Sequence, residues 1–151
     1  MADAQRLLSE ANTILLIDWP SRDVPDTLAR HGFTVITHDD EATDAFNAYT
    51  VDGGVVRVDF VGRRPDQADI VYTHRPLDEL PEIVATANSI GAKAVWVQSG
   101  RDSAGAKDPH GVWFTPDESV GARETVEAAG LQYVEAPYIA DAVRAWAGPG
   151  S

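Results

Sequence analysis

The chain of 151 residues has no cysteine and a single methionine. Without cysteine it forms no disulfide, builds no thiolate metal site and carries no cysteine nucleophile. Long apolar runs are missing too: no stretch nears the roughly 20 residues that cross a bilayer. The opening MADAQRLLSEANT has no apolar core behind a basic start, so no signal peptide is expected, and a cytoplasmic location is. Positive charge is scarce, with 12 basic residues against 24 acidic ones and a formal charge of −12. Nucleic acid and membrane are therefore not expected partners, because a phosphate backbone calls for a basic footprint. Long-range attraction of a nucleotide is disfavoured as well, although a local set of backbone N–H groups still holds a phosphate in an acidic protein. The G-x-S-x-G elbow, the P-loop and H-E-x-x-H are absent. No nucleophile stands at a defined spacing from a base, so no catalytic residue is legible and no metal ligand set is expected.

What is present is a well-marked α/β pattern. An apolar fraction of 44% fits one globular domain over residues 1–151, with a core from about residue 12 to residue 146. The clearest stretch is Ala68 to Gly100, ADIVYTHRPLDELPEIVATANSIGAKAVWVQSG. Asp69–Thr73 is a short β-branched run ended by His74-Arg75-Pro76. From Leu77 to Ile90 the apolar residues Leu77, Leu80, Ile83, Val84, Ala87 and Ile90 line one helical face. Gly91 stops that helix, and Ala94–Val97 begins the next strand. A strand, a crossover helix and a second strand make a unit with parallel strands, and ligands of such sheets lie beyond the strands' carboxyl ends. His74-Arg75-Pro76 and Gln98-Ser99-Gly100 stand at those ends.

The remaining elements alternate in the same way. Ala4 to Ala11 reads as a lead-in helix and Thr13–Ile17 as a strand buried on both faces. Val24 to His31 is a helix closed by Gly32, and Phe33–Ile36 a second strand. The acidic stretch Asp39 to Asp52 is harder to place, with one or two helical turns expected over Ala42–Ala48. After Gly53-Gly54, Val55–Val61 alternates like a strand near a sheet edge. Arg101 to Pro116 is a long Gly/Pro/Asp-rich inserted loop, of a length that is usually functional or mobile. Glu118 to Ala129 is the next helix, Leu131–Glu135 the last strand, and Tyr138 to Trp146 a terminal helix. The pattern predicts a Rossmann-like, doubly wound three-layer domain with a mainly parallel sheet of about five strands.

Several residues at the strand ends are candidates for binding. The first loop, from Asp18 through Trp19, Ser21 and Arg22 to Pro25, has no glycine, so standard NAD or FAD binding is not expected. Ser21 or Asp23 can cap the following helix, and Arg22 can meet an anion; a capped helix with a solvated Arg22 is the competing reading. In the second loop, Arg75 suits bidentate phosphate contact and His74 can stack or donate, against the alternative of Arg75 pairing with Asp78 or Glu79. Gln98, Ser99 and Gly100 offer an amide, a hydroxyl and open backbone. His38 to Glu41 reads as a solvated acidic turn rather than a metal site, and His110 with Asp102 and Asp108 is no stronger. Trp96 belongs to core packing, whereas Trp19 or Trp113 can cover a base.

These residues also carry a family likeness. The Ala68 segment resembles the CoA-binding domain family of small stand-alone Rossmann-like proteins, in which a strand ends in Arg-Pro and a later one in W-x-Q-x-G. ARETVEAAGLQYVEAP is similar to that family's last helix and strand, and the likeness covers most of Ile14 to Pro137. More distantly the chain resembles the CoA-binding domain of the succinyl-CoA synthetase α subunit. The resemblance implies coenzyme A or an acyl-CoA as ligand, with Arg75, Pro76, Gln98, Ser99 and Gly100 at its site and Ser21 and Arg22 as a looser match. The chain departs from the family in its short glycine-free first loop, in His38-Asp39-Asp40 where Asn-Pro usually stands, and in Ala136-Pro137 in place of Cys-Pro. The expectation is non-catalytic binding of CoA, an acyl-CoA or a related nucleotide. The alternative is a degenerate Rossmann module that works through protein contacts, including a homodimer.

Overall fold

The computed structural model describes residues 3–17, 22–40, 45–60, 65–74, 77–98, 115–135 and 138–147. In chain order the elements are α1 (Asp3–Glu10), β1 (Thr13–Ile17), α2 (Asp23–Arg30), β2 (Thr34–Asp40), β3 (Ala45–Asp52), β4 (Val55–Phe60) and β5 (Ile70–Thr73). A 3₁₀ turn at Leu77–Glu79 leads into α3 (Leu80–Ser89), followed by β6 (Ala94–Val97), α4 (Pro116–Ala128), β7 (Gln132–Val134) and α5 (Ile139–Ala147). No helix among the described residues is long and apolar enough to cross a membrane.

The strands form one sheet in the order β4-β3-β2-β1-β5-β6-β7. From β2 to β7 every neighbouring pair is parallel. TILLI, IVYT and AVWV are continuous apolar runs because helices cover both of their faces. On one face Ile14, Leu16, Tyr72 and Trp96 pack against Leu8 of α1, Leu28 of α2 and Val143 of α5. On the other, Leu15, Val71 and Val95 meet Ile83 and Ala87 of α3 and Val126 of α4. The result is the three-layer, doubly wound Rossmann-like α/β fold that the sequence pattern predicts, and Trp96 is wholly buried within it.

The sheet differs from the expected one at the end beyond β1. Among the described residues it has seven strands rather than about five: the edge strand expected over Val55–Val61 is present as β4, and β3, unexpected, joins it in an antiparallel hairpin beside β2. Residues 45–48, expected to be helical, lie in β3. The reason is local: Asp52 pairs with Val55 across a two-residue loop, Gly53-Gly54, with φ of 59° and 82°. Two successive positive φ values match the turn whose twist suits a hairpin, and glycine adopts them without a Cβ clash. The second strand also runs further than Phe33–Ile36, so His38, Asp39 and Asp40 belong to β2 and not to an acidic turn. Pairing of Ile17 with His38 on one side and Phe46 with His38 on the other holds this extension in the sheet.

Capping differs from expectation at one helix. Arg22 is the N-cap of α2 and gives no side-chain cap bond, and Asp23 lies inside the helix rather than capping it. α4 starts at Pro116 behind Thr115, whose Oγ1 accepts from the Glu118 N–H at 3.2 Å while Glu118 Oε1 accepts from the Thr115 N–H at 3.0 Å. This reciprocal capping box ends the inserted loop and fixes where the helix begins.

Candidate functional site

The parallel strands bring their carboxyl ends to one edge. Ile17 of β1 is level with His38 of β2 and Thr73 of β5, and Thr73 is level with Val97 of β6. The His74 N–H donates to the Ile17 carbonyl at 3.3 Å, and the Gln98 N–H to the Thr73 carbonyl at 2.9 Å, so the ladder continues one residue past each strand. After β1 the chain moves to β2 on one side, and β5 then takes up the other side of β1. The helices follow suit, α2 covering one face and α3 the opposite one. The connections therefore diverge between β1 and β5, which leaves a crevice of the kind that open α/β sheets use for ligands.

On the α2 side of this crevice stands exposed Arg22, one residue before the helix. The Arg22 side chain makes no cap bond to α2, and the positive dipole end of that helix is suited to an anion. The nearby Asp23 does not oppose this with a free charge. Its Oδ1 and Oδ2 each accept from Arg144 of α5 at 3.1 Å, and it also accepts from Thr27 Oγ1 at 2.9 Å and Tyr138 Oη at 3.3 Å. The hydrogen bond from Arg144 is the main reason that the Asp23 carboxyl is held below its usual range, with burial opposing it. Arg144 also donates to Asp141 at 2.8 Å, so α2 and α5 are clasped at the end of the sheet where the first loop enters.

On the α3 side lies an open cleft of about 160 Å³, lined by Ile17, His38, Glu79, Glu82, Ile83 and Thr86. Its floor is apolar at Ile17 and Ile83, and His38 forms a wall that is stacked on Phe46 at 4.3 Å with an interplanar angle of 8°. Two carboxylates on its rim oppose a phosphate there. The cleft suits a neutral chain with amide groups, whereas the α2 side suits negative charge. Among the described residues no three His, Asp or Glu side chains gather as a metal site.

Of the sequence candidates, the structure brings His74 and Gln98 to the carboxyl edge. His74 is half-buried, and Gln98 is 1% exposed with its Oε1 accepting from Tyr72 Oη at 3.1 Å. Gln98 thus serves first as a buried link between β5 and β6 under the crevice. Arg22 lies at the edge through α2. Trp19, Ser21, Arg75, Pro76, Ser99 and Gly100 lie outside the described residues, as do Trp113, His110, Asp102, Asp108 and residues 101–114 of the inserted loop. Sequence reading missed the cleft residues Glu82 and Thr86, and it missed His38 as a crevice wall. The β-branched run Thr34, Val35, Ile36 and Thr37 was the available signal that β2 continues past Ile36. The clasp joining Asp23 to Arg144 had none, because its halves stand 121 residues apart.

Known proteins share this fold. Residues 17–140 match the family model described as a CoA binding domain. Among solved structures, a hypothetical protein from Pyrococcus horikoshii OT3 is 18% identical with a TM-score of 0.59, covering 97% of this chain and 91% of that one. Prb, a PH1109 protein redesigned for binding, is 19% identical with a TM-score of 0.58 and the same coverage. The cell-free ID.343 structure from Thermus thermophilus is 20% identical with a TM-score of 0.58, covering 96% of this chain and 99% of that one. These likenesses establish a shared fold over nearly the whole length. No curated protein matches the chain.

Proposed function

Since the chain belongs to the CoA-binding domain family over residues 17–140, we propose that it binds coenzyme A or an acyl-CoA across the carboxyl edge of its sheet, without catalysing a reaction. The observation that carries this reading is the division of the crevice into two chemically unlike halves. Arg22 and the start of α2, which receives no cap bond from the Arg22 side chain, take the phosphates. The cleft beside α3 takes part of the neutral pantetheine arm or its acyl group. Ligand pockets run to about 300–1,000 Å³, so a cleft of about 160 Å³ holds a portion of such a molecule and the remainder lies along the edge. Arg75, Ser99 and Gly100 are proposed as further contacts on the strength of the family resemblance, and Trp19 as a cover for the adenine ring.

Calorimetric titration with CoA tests the reading, using the full chain and the Arg22→Ala and Thr86→Trp variants. Charge-assisted hydrogen bonds to a phosphate contribute about 1.5–3 kcal/mol when well formed. Loss of Arg22 is thus expected to weaken CoA about tenfold or more, and filling the cleft with tryptophan is expected to weaken it independently. Unchanged affinity in Arg22→Ala removes that residue from the site, and absence of binding by the full chain refutes the proposal. A module acting through protein contacts is the second reading, and the open edge of the sheet favours it. The two are compatible, because β4 and the β1–β5 crevice lie at different places on the sheet.

A further inference from the structure

The β4 edge carries a pattern that points to a specific partner. β4 has the sequence VVRVDF and is the outermost strand, with β3 as its single neighbour among the described residues. Val55, Val58 and Phe60 are 63%, 50% and 73% exposed, and Val51 across the hairpin is 40% exposed. Edge strands usually avoid this display by being very short or by carrying charged residues, proline or a bulge, and the two charges of β4, Arg57 and Asp59, are of opposite sign. The opposite edge follows that rule, since β7 is three residues long. β4 has six residues, no lysine and no proline, and it pairs with β3 from Asn47–Phe60 to Asp52–Val55 without a register break.

The hairpin register decides which backbone groups face outward. Asp52 and Val55 close the two-residue loop as a hydrogen-bonded pair, and such pairs alternate along an antiparallel ladder. Arg57 and Asp59 therefore exchange hydrogen bonds with Thr50 and Ala48, and the N–H and C=O groups of Val56, Val58 and Phe60 point to the open edge. A second β4 can meet those groups antiparallel about a two-fold axis in few registers. With Arg57 on the axis, Arg57 faces Arg57 of the other copy. With Asp59 on the axis, Asp59 faces its own counterpart. With Val58 on the axis, each Arg57 faces an Asp59 and each Val56 faces a Phe60. Like charges placed directly opposite are destabilising and opposite charges stabilising, so the strand sequence discriminates in favour of the third register.

We propose that β4 is a self-association strand, through which two copies of this chain join antiparallel with Val58 on the two-fold axis. The sheet then runs continuously through both copies. The association is isologous and closed, because each copy uses the same β4 edge. It needs no ligand, so it stands or falls apart from CoA binding.

Sedimentation velocity of the full chain, from micromolar to near-millimolar concentration, reads the outcome. The native chain is expected to show a concentration-dependent dimer. Val58→Pro removes the outward donor at the axis while leaving the β3–β4 ladder its bonds, since proline is tolerated where an edge N–H faces away from the sheet. That variant is expected to weaken the dimer at least tenfold. Arg57→Asp and Asp59→Arg are each expected to weaken it, and the double exchange R57D/D59R to restore it, which a loss of folding would not do. A native chain that stays monomeric throughout overturns the proposal. So does a dimer that survives Val58→Pro, or one that the double exchange fails to recover.

Discussion

Replacing Asp23 by alanine tests how the first helix is held at the crevice. Asp23 receives two hydrogen bonds from Arg144 and one each from Thr27 and Tyr138. Its side chain is 41% exposed and that of Arg144 45%, so solvent screens the pair and the full strength of a buried contact does not apply. A bidentate contact within a network lies near the top of the surface range, about 1 kcal/mol. The hydroxyl bonds, at the low end of about 0.5–1.5 kcal/mol each, bring the expected loss to roughly 2 kcal/mol. In a domain of this size that lowers Tm by about 4–8 °C. The folded carboxyl titrates lower than the unfolded one, chiefly because Arg144 donates to it. Its stabilisation is therefore complete above the unfolded value of about 3.9 and is lost as pH falls through the lower folded value. Melting curves of native and Asp23→Ala protein are thus expected to differ at pH 7 and to converge in acid. A double-mutant cycle with Arg144→Met is expected to give about 1 kcal/mol of coupling at neutral pH. Equal melting temperatures at pH 7, or zero coupling, would refute the clasp as a stabilising contact.

The remaining predictions concern the hairpin and the end of the inserted loop. Gly54→Ala places a Cβ at φ 82° with no steric obstacle nearby, so the loss is conformational, about 1–2 kcal/mol by denaturant unfolding; an unchanged midpoint would contradict the turn. Thr115→Ala removes the Oγ1 that accepts from the Glu118 N–H, and a loss of about 1 kcal/mol with fraying of the first turn of α4 is expected. Hydrogen exchange at Glu118 reads that fraying, and unaltered protection there would show the cap to be dispensable.

The parts of the fold that were legible are those in which one local signal sufficed. TILLI, IVYT and AVWV are short, almost wholly apolar runs containing β-branched residues, the pattern of strands covered on both faces. Gly32, Gly91 and Gly130 each end a helix at positive φ, so the sequence marks those stops. The second strand of the hairpin was legible in its alternation; the first was not. Asp39 to Asp52 mixes acidic and small residues, and its strand character comes from pairing with β2 and from the turn at Gly53-Gly54. At the site, the strand order needed to place the crevice follows from helices on opposite faces, which alternation implies. The cleft was hidden because Ile17, His38 and Thr86 come from three separate elements and meet only through sheet register and helix packing. The neutralisation of Asp23 by Arg144 is likewise a tertiary event without a local trace.

The measurement that tests the central claim most directly is amide chemical-shift mapping of the ¹⁵N-labelled full chain titrated with CoA. The account predicts saturable shifts at Ile17, Arg22, Asp23, His38, His74 and Thr86, along the carboxyl edge. It also predicts none at Gly53-Gly54 or at the strands' amino ends, such as Thr13 and Lys93. No shifts at millimolar CoA, or shifts gathered away from the β1–β5 crevice, would contradict it.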